Sequence, residues 1–215
     1  MDFHIVWVYR HLILQGFLVT VEISAMTIVT STIVGLIAGL LKTSKHKWLI
    51  SPIIAYVEIF RGSPVLIQLF MVYFGLPYLG VSISMFNAVL LVFTLYSGAY
   101  IAEIVRAGIE SISNGQREAA MTIGLTYSQM MRKIILPQAL RVILPPLFGW
   151  YISLLKDTSI ASVIGYTEMV FQGQNVINMT DRPFEVYLTV AALYFIISYP
   201  LSKFVDWMER RRAYA

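Results

Sequence analysis

The chain has 215 residues, of which 58% are hydrophobic and only 13% charged, with a net charge of +4. Soluble domains carry about 25% charged residues, so the composition excludes an ordinary soluble fold and points to a membrane protein. The absence of cysteine excludes disulfides, thiolate metal sites and a cysteine nucleophile; His4, His11 and His46 lack the spacing of metal ligands, so neither a metal nor a catalytic residue is expected.

Residues 1–11 carry Phe3, Trp7 and Tyr9, the aromatic mixture of a membrane–water interface, and are read as an interfacial or extracytoplasmic segment. Five apolar blocks follow, at about 12–41, 51–75, 86–108, 138–160 and 184–206. Each is long enough to cross a bilayer, which takes roughly 20 residues. The first is too long for a signal-peptide core of about 7–15 residues, so no cleaved leader is expected. The pattern predicts an all-α integral membrane protein with about five transmembrane helices. A single membrane domain covers 12–207 and a basic tail covers 208–215.

Lys42, Lys45 and Lys47 follow the first block. Arg117, Arg132, Lys133 and Arg141 separate the third from the fourth, and Arg210, Arg211 and Arg212 follow the fifth. The stretch from Leu76 to Met85 has no basic residue, and Ile160 to Pro183 has only Arg182. The positive-inside rule then puts the N-terminus outside and the C-terminus in the cytoplasm, which an odd number of spans permits. The positive charge belongs to cytoplasmic loops, and no nucleic-acid partner is expected.

The blocks contain charges. Glu22 lies in the first, Glu58 and Arg61 in the second, Glu103 and Arg106 in the third, and Lys156 and Asp157 in the fourth. A charge at mid-bilayer costs roughly 3 kcal/mol, so such residues face a protein interior or an aqueous path. Gly62-Ser63-Pro64 interrupts the second block just after Arg61. Two readings stay open there: a substrate site on a broken helix, or a structural kink with Arg61 paired to Glu58. Glu22 contacts a cationic substrate or is a buried neutral acid. Glu103 pairs with Arg106 at i, i+3 or contacts substrate. Lys156 and Asp157 diverge by about 100° and line a gate or a site. Candidate substrate residues are therefore Glu22, Arg61, Gly62, Ser63, Glu103 and Asp157. Gly35 to Gly39 and Gly98-Ala99 should allow close helix contact. Pro145-Pro146 should kink the fourth span, and Trp48, Tyr73, Tyr78 and Trp207 should anchor at the interfaces. Gly173-Gln174-Asn175 reads as an outer turn or a contact for an external partner.

The cytoplasmic loop at about 109–137 reads as two short helices. Ser113 and Gln116, and again Thr126 and Gln129, have capping-box spacing. Gly124 is placed to end the first helix, and Pro137 to limit the second. A helix-turn-helix for DNA is ruled out by the few basic side chains and the lack of a separate core. Capped helices here read as a docking element for a cytoplasmic partner.

Glu118-Ala119-Ala120, Gly124, Ile134 and Leu136-Pro137 have the offsets of the loop signature of permease subunits of bacterial ABC importers. Phe60-Arg61-Gly62-Ser63-Pro64, Ala102-Glu103-Ile104-Val105-Arg106 and Lys156-Asp157-Thr158-Ser159-Ile160-Ala161-Ser162 resemble its polar amino acid branch. The resemblance runs from about Gly16 to Asp206. It implies a type I importer permease fold and a multi-pass subunit of the bacterial cell membrane. It also implies a second permease subunit, identical or related, and an extracytoplasmic amino acid binding protein. Two cytoplasmic ATPase subunits would carry ATP and Mg, and would be engaged by the coupling residues Glu118, Ala119, Ala120 and Gly124. No phosphate-binding Gly-rich loop occurs in this chain, so no cofactor and no enzymatic activity are expected of it. The third and fourth spans would carry motion from the loop into an alternating-access pathway.

The acids in the spans outnumber the bases, which favours a basic amino acid such as arginine, lysine or histidine, with another polar amino acid left open; Glu22 is the most informative of these acids. On that reading Glu22→Gln weakens transport of cationic more than neutral amino acids. An ion-coupled secondary transporter or channel that needs no ATPase is the competing reading, and a membrane scaffold is a third.

Overall fold

The computed structural model describes residues 3–44 and 47–213. Lys45 and His46 lie outside the described residues, as do the side chains of Lys47, Arg211 and Arg212. Among the described residues all regular structure is helical.

A short helix α1 (His4–Val8) leads into α2 (Arg10–Lys42), so residues 3–11 are mostly helical. The second span is two helices, α3 (Lys47–Gly62) and α4 (Val65–Phe70), and α4 continues through a π turn and a 3-10 turn to Leu79. The third span is α5 (Met85–Glu110), opened by Ser84, whose hydroxyl accepts from the Asn87 N–H. The loop helix α6 (Asn114–Thr122) and α7 (Tyr127–Met130) precede α8 (Leu136–Asp157). After a 3-10 turn at Thr158–Ile164 come α9 (Met169–Thr180) and α10 (Pro183–Ala213). Four helices are each long and apolar enough to cross a membrane, and the bent pair α3–α4 supplies a fifth span. The basic tail from 208 is the end of α10, not a separate segment, as far as Ala213.

The packing follows the small residues. One face of α2 buries Gly16, Thr20, Ser24, Thr27, Ser31, Gly35 and Gly39. In lipid, helices associate by van der Waals packing rather than by hydrophobic burial, and small residues let backbones approach. A Cβ at Gly35 would sit 2.5 Å from the Ile101 side chain of α5, and one at Gly98 would sit 2.8 Å from the Tyr56 hydroxyl. The contacts Thr30–Thr94, Gly35–Ile101 and Gly39–Val105 rise together, so α2 and α5 run parallel. Helix α8 runs the other way: Ile143 meets Gly108 near the inner end, and Trp150 meets Ser97 further out.

The second span breaks where expected. The leg Trp48–Gly62 bends by 106° against Val65–Leu79. Val57 packs with Ala99 and Ala102, whereas Val65 and Leu69 pack with Val89, Val92 and Phe93. The pair therefore climbs α5 from its inner to its outer half and crosses as one broken span. Gln68 repairs the break: the two N–H bonds of its Nε2 serve the Phe60 carbonyl at 2.9 Å and, one of them shared, the Ser63 carbonyl and hydroxyl, each at 3.0 Å. Such groups satisfy backbone that a broken helix frees.

Several expectations are corrected. The helix does not stop at Pro137, because a π turn at Met131–Ile135 joins α7 to α8. The wider turn absorbs a residue with no N–H and a ring that would press on the preceding turn. Helix α8 stays continuous through Pro145 and Pro146, which a kink at proline allows. Gly173-Gln174-Asn175 lies inside α9 rather than in a turn, and Gly173 makes room for Val190 of α10. Tyr73 packs onto the core around Leu69, while Trp48, Tyr78 and Trp207 are exposed.

Candidate functional site

The cytoplasmic loop is a compact unit. Helix α6 ends in a Schellman motif: the Gly124 N–H donates to the Met121 carbonyl at 2.9 Å and the Leu125 N–H to the Ala120 carbonyl at 3.1 Å. Gly124 has φ +76, the left-handed region in which a side chain is strained. The Thr126–Gln129 capping box forms in both directions. The one expected at Ser113 does not, because the Gln116 N–H goes to the Ser113 carbonyl at 3.1 Å instead of to its hydroxyl. Arg117 donates to the Ile109 carbonyl at 3.0 Å and ties the loop to the end of α5.

Of the three residues Glu118, Ala119 and Ala120, only Ala120 is buried, against Met130, Met131 and Ile135. Glu118 and Ala119 face outward. Beside them stand Met121, Ile123 and Tyr127, which are 59%, 72% and 52% exposed on the water side of the membrane. Contiguous apolar surface of this kind marks a contact site. The alternation of polar and apolar residues in the loop could have flagged all three.

A second group lies within the membrane. Tyr96, Tyr100 and Glu103 are spaced i, i+4 and i+7 on α5, and Trp150 and Asp157 are i, i+7 on α8, so each set shares one helix face. The Tyr100 and Trp150 rings stack at 4.0 Å and 13°. The Trp150 indole donates to the Ser97 hydroxyl at 2.7 Å, which holds the stack in place. Tyr96 lies 5.1 Å from Tyr100 and 5.9 Å from Trp150, within electrostatic reach of Asp157. Asp157 is half-buried, and Gly149 and Ser153 fall on the same helix side by spacing; Lys156 instead lines a cleft with Val170, Tyr187 and Tyr194.

Arg61, at the break of the second span, reaches this face. Its guanidinium sits 5.2 Å over the Tyr100 ring and 3.8 Å from the Glu103 carboxylate. Glu103 is also bound by Lys42 and, at 2.7 and 3.0 Å, by Arg106, which in turn pairs with Glu110. The pairing of Glu103 with Arg106 is therefore present, and the pairing of Arg61 with Glu58 is not. Gly62 has open space around it, and the Ser63 hydroxyl donates to the Ile59 carbonyl at 2.7 Å. Glu22 stands apart: it is exposed on α2 near Tyr166, with no ion pair among the described residues.

Glu168 carried no signal in the sequence. Its side chain is fully buried in the turn before α9, where it accepts the Val170 N–H at 2.9 Å, the Phe171 N–H at 2.8 Å and the Tyr194 hydroxyl at 3.3 Å. Burial nonetheless pushes its carboxyl up to about 7. Among the described residues no group of His, Cys, Asp and Glu is arranged to hold a metal.

Comparison with known proteins bears on all of this. The family described as "Binding-protein-dependent transport system inner membrane component" matches residues 31–214. The probable glutamine ABC transporter permease protein GlnM of Bacillus subtilis is 38% identical over 201 residues, covering 92% of both chains. The glutamine transport system permease protein GlnP of Escherichia coli is 37% identical over 213 residues, covering 98% of this chain and 97% of its own. A crystal structure of an amino acid ABC transporter with histidines is 36% identical, covers 98% of this chain and 99% of its own, and superposes with a TM-score of 0.93.

Proposed function

Since the chain belongs to the inner membrane components of binding-protein-dependent transport systems, as a permease subunit of an amino acid ABC importer, we propose that its cargo is an uncharged polar amino acid such as glutamine. The observation that carries this reading is the charge partnering of Glu103. Lys42 and Arg106 already neutralise it, so it is not a free acid for a cationic cargo. With Glu103 partnered, the acids in the spans that carry no ion pair among the described residues no longer outnumber the bases by enough to favour arginine, lysine or histidine. The relatives named as glutamine permeases support the same choice.

The cargo path follows the exposed face shared by α5 and α8. Asp157 receives the ammonium group, and Tyr96, Tyr100 and Trp150 form an aromatic wall that favours a cation over their faces. Arg61, with Gly62 and Ser63 at the break, offers the positive charge for the carboxylate, and Glu22 lies toward the outer entrance. A second permease subunit, identical or closely related, closes the path from the other side. An extracytoplasmic binding protein delivers the amino acid. Energy enters through the loop, where Glu118, Ala119, Met121, Ile123 and Tyr127 meet an ATPase subunit and Ala120 and Gly124 hold the loop in shape. ATP and Mg bind to that partner. The ATPase dimer biases two states of the bundle, one open to each side, as a ligand shifts any two-state equilibrium.

The test is ATP hydrolysis by the reconstituted complex of permease, ATPase and binding protein, with a panel of amino acids. Glutamine should stimulate it, and arginine, lysine and histidine should not. Stimulation by the basic amino acids in place of glutamine sinks the proposal.

A further inference from the structure

The ion pairs around the break leave one cation poorly matched. Three cations, Lys42, Arg61 and Arg106, share two acids, Glu103 and Glu110. Lys42 is nearly enclosed, with its side chain 8% exposed. Arg106 holds both acids directly. Arg61 holds Glu103 only at 3.8 Å and remains 38% exposed, so it is the cation left over. Glu58, three residues earlier on α3, makes no ion pair among the described residues. An under-neutralised cation inside a membrane span is costly and marks an ion or substrate path.

Arg61 is also far from Asp157. Its ring partner Tyr100 stacks on Trp150, and the seven residues from Trp150 to Asp157 span about 10 Å of helix. The carboxylate and ammonium of an amino acid are joined through one carbon, two bonds apart. One molecule does not put its carboxylate on Arg61 and its ammonium on Asp157 at the same time.

We propose that the break in the second span is a separate inner station, at which Arg61 binds the α-carboxylate of the amino acid after it has left an outer station at Asp157. This rests on the reading that the α5–α8 face lines the path. On arrival the cargo's carboxylate replaces Glu103 at Arg61. Glu103 keeps Lys42 and Arg106, so the exchange uncovers no buried charge. On release toward the cytoplasm, Arg61 returns to Glu103. The inner station thus recognises the α-carboxylate and is indifferent to the side chain.

The absence of cysteine allows a direct test. Gly62→Cys gives the chain a single thiol at a position where a Cβ meets nothing within 4 Å. In the full complex with its ATPase, alkylation of that thiol is timed with glutamine, with glutamine α-amide, which lacks the carboxylate, and with arginine. Glutamine at ten times its Kd leaves about a tenth of the sites open and slows alkylation about tenfold. The α-amide should give no protection. Arg61→Gln should abolish the protection, Arg61→Lys should keep part of it, and Asp157→Asn should keep it at saturating glutamine. Loss of protection in Asp157→Asn as complete as in Arg61→Gln means one shared site; it overturns the inner station and leaves the importer reading intact. Protection by the α-amide, or by no amino acid, also overturns it. Arginine should protect as well as glutamine, because both carry the α-carboxylate; protection by only one of the two means that the site reads the side chain and overturns the indifferent inner station, while the uncharged cargo is judged separately by the ATP hydrolysis panel. If Gly62→Cys does not assemble, Ile59→Cys, one turn earlier and 64% exposed, takes the label.

Discussion

Arg61 reaches across to Glu103 on α5 at 3.8 Å, bypassing Glu58 on its own helix. Glu103 therefore joins the ends of three helices: Lys42 of α2, Arg61 of α3 and its own neighbour Arg106. Removing one partner of an enclosed ion pair costs about 3–5 kcal/mol, because the other charge stays buried and bare. Glu103→Leu should accordingly lower the unfolding temperature of the purified protein in detergent. Lys42→Met in the same chain should recover most of the loss. Equal melting of Glu103→Leu and the parent chain refutes the account.

Gly124→Val should separate folding from coupling. A left-handed backbone costs an L-residue roughly 1–2 kcal/mol, and more when the side chain is β-branched. No neighbour lies within 4 Å of a Cβ there, so the strain is purely local. The expected result is a chain that inserts and keeps its helix content but no longer retains the ATPase on purification. Full ATP-driven uptake by this variant counts against the loop as the docking element.

The α2–α5 seam should tolerate no added volume. A Cβ at Gly35 meets Ile101 at 2.5 Å and the Gly98 carbonyl at 2.9 Å, and the second of these is backbone. Overpacking costs about 1–3 kcal/mol even where side chains give way. Gly35→Val should lower yield and melting temperature together, whereas Gly115→Val, with nothing within 4 Å on the loop, should change the melting temperature little.

Glu168 makes stability depend on pH. Its folded carboxyl titrates at about 7, above the ordinary 4.5. The folded protein then holds a proton that the unfolded chain has lost. The stabilisation is complete below about 4.5 and is lost as pH rises through about 7, with a range of roughly 3 kcal/mol. Melting temperature should fall between pH 5 and pH 8. Glu168→Gln should flatten that slope; its single carbonyl oxygen keeps one of the two N–H groups of Val170 and Phe171, which separate carboxylate oxygens accept in the parent, so some stability is lost at every pH. A slope that survives the substitution assigns it to another group.

How much of this could be read from residues alone follows from the range of each interaction. Apolar length and flanking Lys and Arg located the spans, and Gly35, Gly98 and the Gly62–Pro64 break act through their own backbone. Gly124 and the Thr126–Gln129 box are likewise local. The choice of partner for Arg61 was not local: Glu58 and Glu103 were both chemically suitable, and only the approach of α3 to α5 decides. Lys42 and Glu103 are 61 positions apart. Pro137 misled because a single residue does not reveal a π turn. Glu168 was invisible because its partners, Thr20 and Tyr194, come from helices distant in sequence.

The joined run from Tyr127 through the π turn to Asp157 has no break, even at its three prolines. Thirty residue steps at the α-helical rise make a rod of about 45 Å. One end is rooted in the cytoplasmic loop through Ala120 packed on Met130 and Met131, and the other carries Asp157. If it moves as one body, such a run would work as a lever arm. Pivoted at its base, a tilt of only about 5° displaces the far end by roughly 4 Å over that length. That is more than the width of a hydrogen bond, enough to move Asp157 out of reach of whatever it holds.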